Sequence, residues 1–138
     1  MPAGNSVAAL QLLRLARLTG EYRWEEMVGR LLEAASLYLE QYPSGHAYLL
    51  QALLLLEHGL KEVVIIRGKD AKADPVLREL EQGLYSEVVW LVLTPEEASR
   101  LVFTKEFTAM NGMTTYYVCE QNACQQPTTD AKKKHWPY

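Results

Sequence analysis

Two cysteines near the end of the 138-residue chain are the residues whose type and spacing most directly suggest chemistry. Cys119 and Cys124 are separated by four residues, which is not the two-residue spacing of a thioredoxin-like redox centre. A zinc site would need two further ligands, and the only histidines are His46, His58 and His135. Three states of the pair stay open: two reduced, partly buried thiols, a disulfide, and a metal site. No metal ligand is assigned.

Asn5 and Ser6 follow Gly4 ahead of the first predicted helix. Backbone N–H groups and side-chain oxygens at such a position can bind an anion or a sugar hydroxyl. The same residue types are also the usual N-caps of helices, and capping explains them without any ligand. Capping is therefore the favoured interpretation, and the two residues are kept as cavity candidates.

The loop Arg67, Gly68 and Lys69 follows the first predicted strand, at the strand end where open parallel sheets bind ligands. It lacks both the G-x-G-x-x-G pattern and the P-loop pattern, so the sequence favours an ordinary solvated turn over a nucleotide site. No arrangement of serine, histidine and carboxylate can be read from the sequence. Catalytic residues are left unassigned, and no cofactor is expected.

Three helices are predicted in residues 1–60. Apolar residues recur at helical spacing from Val7 to Leu18, from Glu21 to Gln41 and from His46 to Glu57. The leucines of the third helix cover more than one of its faces, which predicts neighbours on several sides.

Residues 61–130 are predicted to form a small α/β unit. The β-branched run Glu62–Ile66 and the run Val88–Leu93 are typical of strands buried on both faces, and a helix opened by Asp74 and Pro75 lies between them. A third strand is expected at Thr114–Cys119. The predicted fold class is α/β: a three-helix segment followed by a three-stranded, mainly parallel, Rossmann-like βαβ unit. Residues 131–138 are expected to form a flexible tail.

Composition narrows the function classes. A formal net charge of −3 and a pI of about 5.6 disfavour nucleic-acid binding. The longest apolar runs are far shorter than the roughly 20 residues that cross a bilayer, so no membrane partner is expected. The first residues do not have the pattern of a secretory signal. We expect a cytoplasmic protein.

Two segments resemble one known family. Pro2 to Ala9, continuing to Leu15, is similar to a stretch late in the YyaL-type thioredoxin-domain-containing proteins. Tyr117 to Cys124, followed by Pro127 to Asp130, is similar to the closing motif of that family. The resemblance implies a C-terminal fragment of a longer parent, in which a thioredoxin-like domain and a helical toroid like that of sugar epimerases and six-hairpin glycosidases come first.

The same resemblance implies functional assignments for the singled-out residues. Helix-connecting loops line the cavity of such toroids, so Asn5 and Ser6 are the cavity candidates. Cys119 and Cys124 match the closing motif and not the redox centre, so no redox role is carried over to them. The basic, aromatic tail from Ala131 to Tyr138 departs from the family ending.

The preferred hypothesis is a non-catalytic C-terminal module that completes the toroid and caps it with the α/β unit. Its expected partner is the missing N-terminal part of the parent, and its apolar helices would also allow a homo-oligomer. One alternative is a part of a carbohydrate- or small-molecule-acting enzyme, to which Asn5 and Ser6 contribute cavity groups. A second alternative is a small-ligand or nucleotide-binding module built on the βαβ unit.

Overall fold

The computed structural model describes residues 4–70, 74–121 and 123–133. The chain divides into two compact units, Met1–Leu60 and Lys61–Tyr138. The first unit is helical and the second contains the sheet. Residues 134–138 of the predicted tail lie outside the described residues, and no helix in the described part has the length and apolar character needed to cross a bilayer.

The helical unit contains the three predicted helices, with somewhat different bounds. They are α1 (Gly4–Thr19), α2 (Arg23–Gln41) and α3 (Ala47–His58), and a 3₁₀ turn at Pro43–His46 precedes the third. Because α1 already includes Gly4, the expectation that Asn5 or Ser6 caps this helix from outside is wrong. Both residues lie in its first turn, and Ser6 is buried there.

Helix α1 is the central element of this unit, since it packs against both α2 and α3. Small residues at the contacts let the helix backbones approach closely, and larger aliphatic side chains fill the remaining space. The buried apolar residues of the unit are Ala9, Leu10, Leu13 and Ala16 on α1, Val28 and Leu32 on α2, and Leu49, Ala52 and Leu55 on α3.

The second unit contains a four-stranded mixed sheet in the order β2-β1-β3-β4. Its strands are β1 (Lys61–Ile66), β2 (Val88–Leu93), β3 (Thr115–Glu120) and β4 (Ala123–Cys124). Helix α4 (Pro75–Gln82) connects β1 to β2, and α5 (Pro95–Arg100) follows β2. The predicted parallel pairing of the first two strands is confirmed, with Lys61 opposite Val88.

The predicted three-stranded, mainly parallel, Rossmann-like unit is wrong. Strand β3 runs antiparallel to β1, and β4 runs antiparallel to β3. A parallel third strand would require a crossover that returns the chain along the full length of a six-residue strand, about 20 Å. The segment between β2 and β3 does not make this return. Lys69 N donates to the Gly112 carbonyl and Thr115 lies opposite Ile66, so β3 begins at the end of the sheet where β1 and β2 finish and runs in the opposite direction.

The two faces of the sheet are covered by different elements. On the first face, Val63 and Ile65 pack with α4 and with Tyr116. On the second face, Val64 and Ile66 pack with Ala98 of α5 and with aromatic residues of the segment before β3. Strand β1 is buried on both faces, as predicted. Strand β2 is not, because it lies at the edge of the sheet and its last four residues are half-buried.

Candidate functional site

A cavity of about 260 Å³ lies within the helical unit and brings the predicted cavity residues together. Asn5 and Ser6 reach it from α1, and Tyr38 and His46 add a phenol and an imidazole from α2 and the 3₁₀ turn. The remaining lining is apolar and consists of Leu31, Ala34, Ala35 and Leu49. An apolar wall with a few convergent polar groups is the usual composition of a small-molecule site.

Tyr38 and His46 are residues that the sequence argument did not assign to this cavity. Tyr38 lies near the end of α2, and its side chain is largely exposed. The Pro43–His46 turn places the imidazole beside the start of α1, which is a tertiary relation across about forty residues. The only local signal was the helix break at Pro43. The roles of Asn5 and Ser6 as ligand contacts stay predictions.

The loop after β1 consists of Arg67, Gly68 and Lys69, and all three of its backbone amides donate hydrogen bonds within the protein. Arg67 N donates to the Leu93 carbonyl at 2.8 Å, Gly68 N to Thr114 Oγ1 at 3.1 Å, and Lys69 N to the Gly112 carbonyl at 2.8 Å. An anion at this loop would therefore meet only the exposed side chains of Arg67 and Lys69. The observed bonds join the end of β1 to the end of β2 and to the residues before β3. Ligand binding here stays a prediction.

Asp70 also connects the end of β1 to the residues before β3. Its Oδ1 accepts hydrogen bonds from Thr114 N at 2.7 Å and from Thr114 Oγ1 at 3.0 Å. The hydrogen bond from the Thr114 backbone amide holds the pKa of the Asp70 carboxyl below its ordinary value. Since a carboxylate that accepts two bonds from one residue fixes the geometry around it, Asp70 acts as a clamp at this end of the sheet.

Asp74 and Tyr116 form a second clamp. Asp74 is the N-cap of α4, and its Oδ1 accepts from Val76 N at 2.8 Å and Leu77 N at 3.2 Å. The Tyr116 hydroxyl donates to the same carboxylate, at 3.1 Å to Oδ2. Burial raises the pKa of Tyr116, and the negative charge of Asp74 raises it further. The phenol stays protonated and links α4 to β3, so this carboxylate is occupied by structural contacts.

The cysteine pair forms a disulfide. Cys119 and Cys124 face each other directly in the β3–β4 ladder, with their Cα atoms 3.9 Å apart. Of the three states left open by the sequence, the structure contains this one. Among the described residues, histidine, cysteine and acidic side chains form no group of three or more that could hold a metal ion.

Comparison with known proteins gives one consistent match. Spermatogenesis-associated protein 20 from Homo sapiens is 31% identical over 134 residues, which are 94% of this chain and 17% of the relative. The proteins of the same name from Rattus norvegicus and Mus musculus are 31% and 29% identical over the same lengths. Over nearly its whole length, the chain is therefore similar to one part of spermatogenesis-associated protein 20. The resemblance inferred from the sequence is confirmed.

The match covers a small C-terminal region of the larger relative. The chain spans only 17% of the length of the spermatogenesis-associated protein 20 sequences that it matches. No family model matches the chain. No solved structure matches it either.

Proposed function

We propose that this chain is a non-catalytic C-terminal module whose helical unit packs against further helices of a longer polypeptide and completes an α/α toroid, which the α/β unit caps. The proposal is supported by the match to one small region of relatives about six times longer. Its partner is the rest of that polypeptide. The main structural observation in favour of this proposal is an apolar groove on the helical unit.

The groove has a volume of about 390 Å³ and runs between α2 and α3. Its apolar floor is formed by Leu32, Leu39, Leu53 and Leu56, with Gly29 and Ser36 leaving room above them. Apolar surface of this shape, lined by two helices, suits the apolar stripe of a third helix. The exposed carboxylates of Glu33 and Glu40 flank the groove seven residues apart on α2. They favour an occupant that carries lysine or arginine beside its apolar stripe.

Hydrogen–deuterium exchange tests this assignment. Peptides from α2 and α3 should exchange at least about tenfold more slowly in the longer polypeptide than in the 138-residue chain, because a docked helix suppresses local opening. Leu53→Glu in the longer polypeptide should remove that protection. Leu84→Glu is the matched control, since Leu84 is fully exposed in the α/β unit. Equal exchange of α2 and α3 in the two proteins would contradict the proposal.

A second candidate function rests on the cavity lined by Asn5 and Ser6. An amide, a hydroxyl, a phenol and an imidazole beside an apolar wall can bind a small polyhydroxylated molecule, so the longer polypeptide would act on a carbohydrate or a related compound. The burial of Ser6, which is 4% exposed, supports this candidate, because serine residues are mostly exposed in folded proteins.

Ligand binding by the longer polypeptide discriminates the two candidates. Ser6→Ala should weaken binding of any monosaccharide found in a screen by at least about tenfold, which corresponds to the loss of one buried hydrogen bond. Ser36→Ala makes the same chemical change outside this cavity and should leave affinity unchanged. If no monosaccharide binds, or if both variants bind as the parent does, the cavity is not a carbohydrate site.

A further inference from the structure

The disulfide Cys119–Cys124 joins two residues in very different surroundings. Cys119 is only 1% exposed and lies next to the last residue of β3. Cys124 is exposed, on the two-residue strand β4 at the sheet edge. Thiol–disulfide exchange requires an incoming thiolate to reach one of the two sulfurs. Access from solvent is therefore restricted to the Cys124 side of the bond.

The covalent link encloses a very short loop and constrains the unfolded chain little. The two cysteines are five positions apart, and closing a loop of that size removes less entropy from the unfolded chain than closing a long one. Cys119 is itself buried, but neither described hydrophobic cluster of the sheet includes it or Cys124. Breaking the bond therefore leaves the core of the α/β unit in place.

Backbone hydrogen bonds continue the sheet edge beyond β4. Gln125 N donates to the Val118 carbonyl at 2.8 Å, and Tyr116 and Thr128 exchange a pair of backbone bonds at 2.9 and 3.2 Å. These bonds keep the segment after Cys124 beside β3 when the sulfurs separate. A reduced pair would consequently stay close together and could re-form the disulfide.

We propose that Cys119–Cys124 is a reversible thiol–disulfide exchange site whose reaction partner is a dithiol. One thiolate of the dithiol attacks Cys124 Sγ, the Cys119–Cys124 bond breaks, and Cys119 Sγ leaves with the bonding electrons and takes up a proton. The second thiol of the dithiol then loses its proton, and the resulting thiolate attacks the dithiol's first sulfur, which is bonded to Cys124 Sγ in the mixed disulfide. Cys124 is released as a thiol, the protein pair gains two electrons and two protons, and the dithiol becomes a disulfide.

The register of β3 and β4 selects for a dithiol over a monothiol. After a monothiol attacks Cys124, the Cys119 thiol lies directly opposite the mixed disulfide, with the Cα atoms 3.9 Å apart before cleavage. Re-attack by Cys119 is intramolecular and has a high effective concentration, so it expels the monothiol. A dithiol carries a resolving thiol at a comparable effective concentration and completes the reduction.

Reduction of the unmodified chain under native conditions tests the proposal. Dithiothreitol should raise the mass by about 2 Da at a rate that increases in proportion to its concentration, with the circular dichroism spectrum retained. Glutathione at the same thiol concentration should leave most of the chain oxidised. Reduction that occurs only in urea, loss of the folded spectrum on reduction, or equal reduction by the two reagents would each overturn the proposal.

Two single-cysteine variants test which sulfur is attacked. In the folded state, the thiol of Cys119→Ala should react with a chromogenic aromatic disulfide at least about tenfold faster than the thiol of Cys124→Ala, because only the former variant keeps the exposed cysteine. In concentrated urea, where both thiols are exposed, the two rates should become equal. That result would show that the rate difference in the folded state does not come from a difference in the reactivity of the thiols themselves. Equal rates in the folded state, or a faster Cys119 thiol, would overturn the assignment of Cys124 as the attacked sulfur.

Discussion

Replacing Gly68 with alanine places a methyl group against the backbone of the residues that precede β3. A Cβ atom at this position would lie 2.3 Å from both the Met113 carbonyl carbon and Thr114 N, and 2.5 Å from the Gly112 carbonyl oxygen. These are backbone atoms, so no side-chain rotation can relieve the contact. The end of β1 and the residues before β3 must therefore move apart.

The cost follows from what that movement breaks. Overpacking a well-packed site costs about 1–3 kcal/mol. The separation also strains the hydrogen bonds from Gly68 N to Thr114 Oγ1 and from Lys69 N to the Gly112 carbonyl, each worth about 1 kcal/mol net. Gly68→Ala should lower the free energy of unfolding of the α/β unit by about 2–4 kcal/mol.

Urea unfolding followed by circular dichroism measures this difference, and Gly29→Ala is the matched control. Gly29 lies inside α2, and a Cβ there would meet no atom within 4 Å. That substitution should stabilise the helical unit by about 0.5–1 kcal/mol, through higher helix propensity. If Gly68→Ala costs less than about 1 kcal/mol, the close approach of the two backbones does not constrain the fold as argued.

Three further substitutions test individual contacts. Tyr116→Phe removes the hydrogen bond to the Asp74 carboxylate and should cost about 1–2 kcal/mol in urea unfolding; an unchanged midpoint would refute the clamp. Thr94→Ala removes the capping box formed with Glu97 and should cost about 1 kcal/mol, measured in the same way. The pKa of Asp70 is lower in the folded protein than its ordinary value of 3.8. Its contribution to stability is therefore complete at a pH above 3.8 and is lost as the pH falls through the lower pKa of the folded state. Asp70→Asn should therefore flatten the decline in melting temperature on acidification below about pH 4, and an equally steep decline would contradict this.

The second unit shows what residue patterns could and could not predict. The β-branched run of β1 identified a buried strand, and the Asp74-Pro75 pair identified the start of α4, where the carboxylate caps the helix as expected. Both signals are local, because they depend on side-chain type and backbone conformation within a few residues. The direction of β3 carries no such signal. It depends on tertiary contacts that hold residues 112–114 against the end of β1, such as the hydrogen bond from Gly68 N to Thr114 Oγ1.

The state of the cysteines illustrates the same limit. Their four-residue spacing places them opposite each other only if Glu120 and Ala123 pair across a two-residue turn. Such turns are usually recognised by glycine at a position with positive φ, but here Gln121 adopts a φ of 49°. The cavity depends on tertiary structure in a similar way, because Ser6 and His46 line the same space only when the helices are packed.

The edge position of β2 has a practical consequence for work with this chain. Within the described sheet, β2 pairs with a strand on one side only, and its six residues, Val88–Leu93, include neither a charge nor a proline. Strands of this composition at a sheet edge can template pairing between separate molecules, which leads to fibrous or amorphous aggregates. Yield on expression and shelf life at high concentration should therefore respond more to a lysine introduced along this strand than to any change at the clamps or the cysteines.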